Sequence, residues 1–232
     1  MRRRVLVGGG VAAALIGAGI TGTVLLNSHH APPPLALGSP TPGGTAGGLT
    51  GRWTVAAGSQ AGYRVREKFI NQPAPTEAVA RTTKISGGLT VKSISGSTLQ
   101  ATSLHFTADL TALQSQDKYA QFQTYQRDFF IRTIYLNTDQ FPNADFTADS
   151  VTLPAGNTSG PVSFAVTGML SVHGETKPVT TQVNVQLSGD QVEVAGSINI
   201  DMRDFNVSPP DISFTKAEPG VVIEYRLLLV RA

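Results

Sequence analysis

The chain has 232 residues, with a hydrophobic content of 41% and a charged content of 15%, which supports a packed core and excludes wholesale disorder. It contains no cysteine, which excludes disulfides, thiolate catalysis, Cys-based zinc sites and anchoring through an acylated cysteine. The net charge is +2, and without Arg2, Arg3 and Arg4 the 15 remaining Lys and Arg against 16 Asp and Glu leave −1. The body of the protein therefore has no basic excess, and no nucleic-acid partner is predicted.

Residues 1–26 are predicted to hold the chain at a membrane. Val5 to Leu26 carries no charged side chain and is long enough to cross a hydrocarbon core of about 30 Å as a transmembrane helix. The arginines before it favour a cytoplasmic N-terminus and a single-pass cell-membrane protein whose C-terminal part is extracytoplasmic. The alternative is a cleaved signal peptide, weakly similar to a twin-arginine export signal, which would give a secreted protein.

Residues 27–51 are predicted to be a Pro/Gly-rich linker. The run Ala31-Pro32-Pro33-Pro34 and the Pro- and Gly-rich residues 39–44 cannot build a core, and proline favours an extended polyproline conformation. Such a linker would act as a spacer between the membrane and the domain formed by residues 52–232.

From Arg52 onward, apolar and polar residues alternate with a period of two, which predicts β-strands with one apolar face. Leu104 and Phe106 share one face of such a strand, while Ser103 and His105 share the other. Further alternating sets are found near Tyr63, Phe164, Val183, Val192 and Val221. Turn sequences such as His173-Gly174 join the sets, so about eight antiparallel strands are predicted, forming either a sandwich or a closed barrel.

One stretch, residues 114–138, lacks the alternation and is rich in Gln, Tyr and Phe. Asp117 is positioned to cap a helix that starts at Lys118, and Phe141-Pro142-Asn143 would end the excursion. The residues therefore predict an all-β domain with one helical insertion.

Four segments resemble the YceI-like family. They are Trp53 with Tyr63 and Val65, Arg127-Asp128 followed by Phe141-Pro142-Asn143-Ala144-Asp145-Phe146, residues 168–179 around His173-Gly174-Glu175-Thr176-Lys177, and Arg203-Asp204-Phe205-Asn206. The resemblance covers residues 52–232 and implies an eight-stranded, lipocalin-like antiparallel barrel.

The resemblance also implies a function, which is the binding of an amphipathic lipid of the polyisoprenoid or isoprenoid-quinone class. The tail would lie inside the barrel and the polar head at its mouth, for carriage or sensing. Burial of ten methylenes would contribute about 8 kcal/mol, or roughly micromolar binding before costs. The alternative is a cell-envelope structural or interaction module whose barrel is fully packed.

The predicted ligand-binding residues are Tyr63, Phe69, Leu104, Phe106, Phe146, Phe164, Val166 and Phe205. The phenylalanines fit a plain core as well as a pocket lining, because a filled barrel and a lipid-binding barrel show the same alternation. No catalytic residue, metal site or cofactor is predicted, and His105 beside Asp109 is interpreted as a surface histidine. The pairs Arg127-Asp128 and Arg203-Asp204 are predicted to form ion pairs near the barrel rim. An enzyme is therefore not expected.

Overall fold

The computed structural model describes residues 30–39, 48–70, 74–95, 98–118, 124–153, 160–188 and 190–232. The predicted membrane segment lies outside these ranges, and among the helices within them none is long and apolar enough to cross a membrane. The strands are β1 Gly51–Val55, β2 Gln60–Phe69, β3 Thr76–Thr82, β4 Ile85–Ser95, β5 Thr98–Asp109, β6 Gln114–Ser115, β7 Asn143–Thr152, β8 Val162–Val172, β9 Glu175–Ser188, β10 Gln191–Asp201, β11 Asp211–Ile212 and β12 Thr215–Arg231. Helix α1 is Thr124–Phe130 and continues as a π-helical turn, Ile131–Tyr135. Short 3₁₀ turns lie at Leu110–Ala112 and Met202–Phe205.

The strands form a closed antiparallel barrel. Strands β1 and β2 both pair with β12 and act as two halves of one bent strand. Strands β3 and β4 are likewise two halves of the next, paired with β2 and β1 respectively. With these halves joined, eight staves follow one another in chain order through β5, β7, β8, β9, β10 and β12, and the last pairs with the first. The predicted eight-stranded barrel and its helical insertion are therefore confirmed.

At the bend between β1 and β2, the side chain of Ser59 supplies hydrogen bonds to backbone groups that lack a ladder partner. Gly58 has a φ of +92°, a conformation that glycine adopts without a steric penalty. The hydroxyl of Ser59 donates to the carbonyl of Ala56 at 2.8 Å and accepts from the amide of Leu228 at 2.9 Å. The backbone groups freed by the bend thus keep partners inside the wall.

The insertion between β5 and β7 plugs one end of the barrel, called here the closed end. Leu110 and Leu113 pack against Ala80 on the wall, with Tyr63 and Leu136 beside them. The Met202–Phe205 turn adds a second group of apolar contacts with Val65 and Val221 at the same end. The opposite, distal end carries the connections from β4 to β5, from β7 to β8 and from β9 to β10.

Charged side chains fasten the insertion. Arg127 on α1 binds both carboxylate oxygens of Asp117, at 2.5 and 2.9 Å. Asp128 instead accepts the amide of Ser115 at 3.0 Å. The predicted Arg127–Asp128 pair is thus wrong in its partner, because neighbouring helical residues point in different directions and each reaches a different part of the wall.

The second predicted pair differs in the same way. Arg203 donates to the carboxylate of Asp201, with Nη2 to Oδ2 at 2.5 Å, and not to Asp204. Asp201 also accepts the amide of Arg203 at 2.9 Å, which caps the 3₁₀ turn. The ion pair therefore closes a local turn at the exposed edge of the closed end.

Residues 30–39, called here the outer strap, lie across the outside of the barrel. At one end the backbones of His30 and Lys118 exchange two hydrogen bonds, at 3.1 and 3.3 Å. The carbonyls of Pro32 and Pro33 accept from Arg64 on β2 at 2.8 Å and from Arg81 on β3 at 2.6 Å. The strap therefore crosses the strands instead of running beside them.

The strap covers two carboxylates on the outer face. Leu35 donates its amide to Glu224 at 3.1 Å, and Gly38 donates its amide to Glu193 at 2.9 Å. Both side chains are 2% exposed. Glu224 also binds Arg81 at 2.8 Å, and Glu193 binds Arg226, so each buried charge has a cationic partner. Buried carboxylates on an outer face require such a cover, which the strap supplies.

Removing the outer strap should weaken the barrel without unfolding it. We expect a protein that begins at residue 48 to be less stable than one that begins at residue 30, by about 2 kcal/mol, because several charge-assisted hydrogen bonds are lost. Urea denaturation of both forms, followed by circular dichroism, measures the difference. Equal midpoints would show that the strap contributes nothing to the stability of the barrel.

Candidate ligand-binding cavity

The barrel encloses a cavity of about 260 Å³ between the closed end and the distal end. Its walls are built from inward-facing side chains of the staves, because alternate residues of each strand point into the barrel. The lining is almost entirely apolar. It includes Trp53, Leu89, Val91, Ala101, Leu104, Phe106, Phe146, Val151, Phe164, Val166, Val183, Val185, Val192, Val194, Tyr225, Leu227 and Leu229. Such a chamber favours an apolar guest over a polar one.

Two glycines keep large rings against the wall. A Cβ at Gly196 would stand 2.4 Å from the hydroxyl of Tyr225, and one at Gly168 would stand 2.4 Å from the ring of Phe146. Gly196 and Tyr225 are direct partners across β10 and β12. Because each ring occupies the place of a missing side chain, it takes less of the barrel interior, which leaves space for a guest.

One polar pair faces the cavity. Thr181 donates its hydroxyl to the carbonyl of Ser197 at 2.9 Å and lies 2.8 Å from the hydroxyl of Tyr225. Tyr225 therefore donates to Thr181, since the threonine proton is already engaged. Burial raises the pKa of Tyr225 to about 12, partly offset by the hydrogen bond with Thr181, so the phenol stays neutral at physiological pH. The pair adds no charge to the chamber.

The wall is weakest between β7 and β8. Their register contains three pairs, from Asp145↔Ser171 to Thr147↔Met169, whereas β8 and β9 share eleven. Towards the distal end, the rest of β7 and β8 run on without ladder pairing. Phe164 and Val166 of the cavity lining lie on the part of β8 that pairs with β9 but not with β7. At this seam the cavity is closed by side chains and not by a backbone ladder.

Five of the eight residues predicted to bind ligand line the cavity: Leu104, Phe106, Phe146, Phe164 and Val166. Their contact with a ligand stays a prediction. The other three lie elsewhere. Tyr63 packs under the plug. Phe69 is buried near the end of β2 at the closed end. Phe205 is 2% exposed and packs against Leu170 and Val172.

Sequence reasoning missed much of the lining, above all Trp53, Tyr225 and the valines of β9 and β10. Alternation placed Val183, Val192 and Tyr225 on apolar faces, but it did not separate the part of each strand beside the plug from the part beside the cavity. That distinction depends on where the insertion folds back, which the strand pattern does not encode.

Three of the family-like segments meet at the β8–β9 turn. The ring of Phe141 packs edge-on against His173, with centroids 4.8 Å apart. His173 Nδ1 donates to the carbonyl of Phe205 at 3.2 Å, and Asn206 donates to Glu175 at 2.7 Å. Gly174 has a φ of +81°, and a Cβ there would lie 2.8 Å from Phe141. These motifs are therefore structural and join the insertion, a hairpin and the 3₁₀ turn.

A buried acid faces the inside of the closed end. Burial raises the pKa of Glu67 to about 7, against the opposing effect of Arg127, whose Nη1 is 3.6 Å from Oε1. Asp117 adds a smaller rise. Within the described residues, Oε1 of Glu67 is buried without a hydrogen-bond partner. Burial in the folded protein therefore stabilises the protonated, neutral form of Glu67 relative to the carboxylate.

His105 and Asp109, which lie near each other in the sequence, have different partners in the structure. His105 lies on the outer face, where its Nε2 is 3.2 Å from Asp145 and 3.3 Å from Thr107. Its side chain is 60% exposed, and Asp109 instead caps the first 3₁₀ turn. Across the described ranges, no three His, Asp or Glu side chains converge as a metal site would require.

The fold is a closed up-and-down β-barrel with an apolar interior. Residues 53–227 match the YceI-like domain, so the chain belongs to the YceI-like family. The predicted family is confirmed. None of the curated proteins matches this chain.

Two solved structures share the fold. The chain is similar to a polyisoprenoid binding domain from Saccharophagus degradans implicated in plant cell wall breakdown, with 16% identity, a TM-score of 0.53, and coverage of 79% of this chain and 99% of that one. It is also similar to BcnA of Burkholderia cenocepacia, with 23% identity, a TM-score of 0.51, and coverage of 75% and 98% respectively. At these identities the likeness establishes the fold.

The buried acid predicts a pH dependence of stability. The unfolded chain loses the Glu67 proton near its ordinary pKa of 4.5, while the folded protein keeps it up to about pH 7. The free energy of unfolding should therefore fall as pH rises from 4.5 to 7, on the order of 3 kcal/mol, and stay lower above that window. Glu67→Gln should remove most of this fall and be more stable than the wild type at pH 8. Urea titrations at several pH values measure the effect, and Glu218→Gln, at a 52% exposed side chain, is the control that should keep it.

The cavity predicts different costs for two ring deletions. Phe205→Ala should cost roughly 3 to 5 kcal/mol of stability, because a fully packed ring leaves a void. Phe164→Ala should cost about 1 kcal/mol in the ligand-free barrel, because one side of that ring already faces empty space. Denaturant midpoints of the two variants test the difference. A Phe164→Ala cost as large as that of Phe205→Ala would contradict an open interior.

Proposed function

We propose that this protein binds the apolar tail of an amphipathic lipid, of the polyisoprenoid or isoprenoid-quinone class, inside the barrel. The observation that carries the proposal is the cavity of about 260 Å³, whose walls are almost entirely aliphatic and aromatic. A closed barrel with a fully packed interior would leave no such space, so the cavity favours a binding role over a purely structural module.

The shape and chemistry of the chamber favour a hydrocarbon tail over a headgroup. Each buried methylene contributes about 0.8 kcal/mol, so a few isoprene units supply most of the binding energy without any polar contact. The polar pair Thr181 and Tyr225, which faces the lumen, is neutral and largely satisfied by its own hydrogen bonds. Since the described lining is almost entirely apolar, a charged headgroup would lose its hydration there without compensation and would remain outside.

The ligand class has further support from a relative. The Saccharophagus degradans domain with this fold is described as polyisoprenoid binding. A branched, repeating tail suits a cavity lined by β-branched valines and by rings held against the wall. We therefore assign the same class of ligand to this chain, for carriage or for sensing.

We propose an extracytoplasmic, membrane-attached location. Its support is the sequence of residues 1–26, in which three arginines precede an uncharged apolar run. On this proposal the membrane is the second partner of the protein, and the barrel lies on the outer side of the cell membrane.

Extraction tests the binding proposal directly. We expect organic extraction of the purified full-length protein, followed by mass spectrometry, to yield an isoprenoid lipid. Val185→Phe, which places a ring in the cavity, should lower the amount recovered at least severalfold while leaving thermal stability unchanged or raised, because it fills space. Val230→Phe, on the outward face of β12, is the matched control and should keep the lipid. Wild-type protein without lipid, or equal recovery from Val185→Phe, would overturn the proposal.

A further inference from the structure

Exposed apolar side chains concentrate at the closed end. Nine large hydrophobic residues among those described are exposed, and seven of them lie on the insertion or on the ends of β2 and β12 beside it. The two exceptions are Ile94 at the distal end and Met169 at the seam. The seven are Ile70, Tyr125, Phe129, Phe130, Ile134, Ile212 and Phe214.

These residues form two neighbouring groups. The amide of Ile70 donates to the carbonyl of Phe214 at 3.0 Å, which places one group at the ends of β2 and β12. The other group lies on α1 and its π-helical turn, where Phe129 is 55% and Ile134 is 62% exposed. Arg127 on the same helix reaches Glu67 of β2, three residues before Ile70, so both groups lie at the closed end. This set of seven residues is called here the apolar face.

The start of the described chain lies at the same end. His30 pairs with Lys118, which follows β6 and leads into the insertion. The apolar run of the sequence ends at Leu26, four residues before His30. At the reach of an extended chain, His30 is therefore within about 14 Å of the end of that run. A membrane crossed by residues 5–26 would lie beside the closed end, not beside the distal end.

We propose that the apolar face docks on the outer surface of the membrane that residues 5–26 cross, with Phe129, Phe130 and Ile134 inserted among the lipids. The choice of a lipid surface rests on the membrane attachment proposed above. Contiguous exposed aromatic and aliphatic side chains mark surfaces that become covered, and aromatic rings suit the membrane interface. The outer strap then holds the barrel in one orientation, because hydrogen bonds tie the strap to β2, β3, β12, β10 and β9.

The charges around the apolar face indicate the kind of attachment. Lys68, Lys118 and Lys216 surround it, but so do Asp211 and Glu218, and Lys216 is paired with Asp211 at 2.7 Å. The mixture gives no strong basic patch for anionic headgroups. Docking would therefore depend on apolar insertion, and high salt should change it little.

The absence of cysteine makes a site-specific test possible. Single variants Phe129→Cys and Ile134→Cys of the full-length chain, each labelled with an environment-sensitive fluorophore, are reconstituted into phosphatidylcholine vesicles with brominated acyl chains. Ile94→Cys is the matched control, since Ile94 is 52% exposed but lies at the distal end. We expect blue-shifted emission and at least twofold quenching at 129 and 134, in low and high salt alike, and neither at 94.

The outcomes separate the proposals. Vesicle flotation of the protein with unquenched labels at 129 and 134 would overturn docking while leaving the anchor intact. A blue shift without quenching would show that protein, such as a second copy, covers the face, which also overturns lipid docking. Failure to float would overturn both the anchor and the docking, whereas the lipid extracted from the cavity is measured independently of either.

A second variant tests the same face. Phe129→Ser with Phe130→Ser should reduce quenching at position 134 to the level of position 94, because two inserting rings are removed. Both changes are at exposed sites and leave the fold intact.

Discussion

Closure of the barrel is the constraint on which the rest of this structure depends. The long strand β12 pairs with β10 on one side and with β1 and β2 on the other, so the sheet has no free edge along these staves. At its end, the guanidinium of Arg231 lies 4.9 Å above the ring of Trp53, which fixes the first strand against the last. Only a closed wall can keep an apolar interior away from water, and the cavity exists because this last pairing completes the circle.

One end of the closed barrel is filled by side chains and the other is not, and this difference determines where the cavity lies. The insertion and the Met202–Phe205 turn fill one end with Leu110, Leu136 and Phe205, so the remaining space lies toward the distal end. There, Gly168 and Gly196 let two rings lie against the wall. The same insertion covers Glu67, and this burial raises the pKa of its carboxyl to about 7, against the opposing effect of Arg127.

The alternation of side chains predicted the strands, because each stave has one apolar face, and its interruption at residues 114–138 predicted the insertion. The choice of a closed barrel over a sandwich came from the resemblance to the YceI-like family. Alternation was not sufficient where the backbone departs from a regular strand. Ser103 has a φ of +53° and forms a bulge, so Ala101 and Leu104 are both buried although they are three residues apart. Alternation also could not separate Phe205, which packs beneath the plug, from Phe164, which faces the cavity. The outer strap was beyond such reasoning, because its proline-rich sequence shows no pattern and its partners, Glu193 and Glu224, are far along the chain.

On the proposed function, the strap, the apolar face and the seam together restrict how a lipid tail reaches the cavity. If the closed end faces the membrane, the distal end points away from it, and the plug separates the cavity from the lipid surface. A tail then has two routes: around the barrel to the distal end, or through the wall. Between β7 and β8 the ladder stops at Thr147↔Met169, so among the described residues of the two strands no ladder hydrogen bond lies beside Phe164 and Val166. Opening any other pair of adjacent staves would expose unpaired amides and carbonyls, at a cost comparable to a lost hydrogen bond for each group. The seam is therefore the part of the described wall that can open for the least free energy, and Met169, a flexible apolar side chain, is exposed on its outer side.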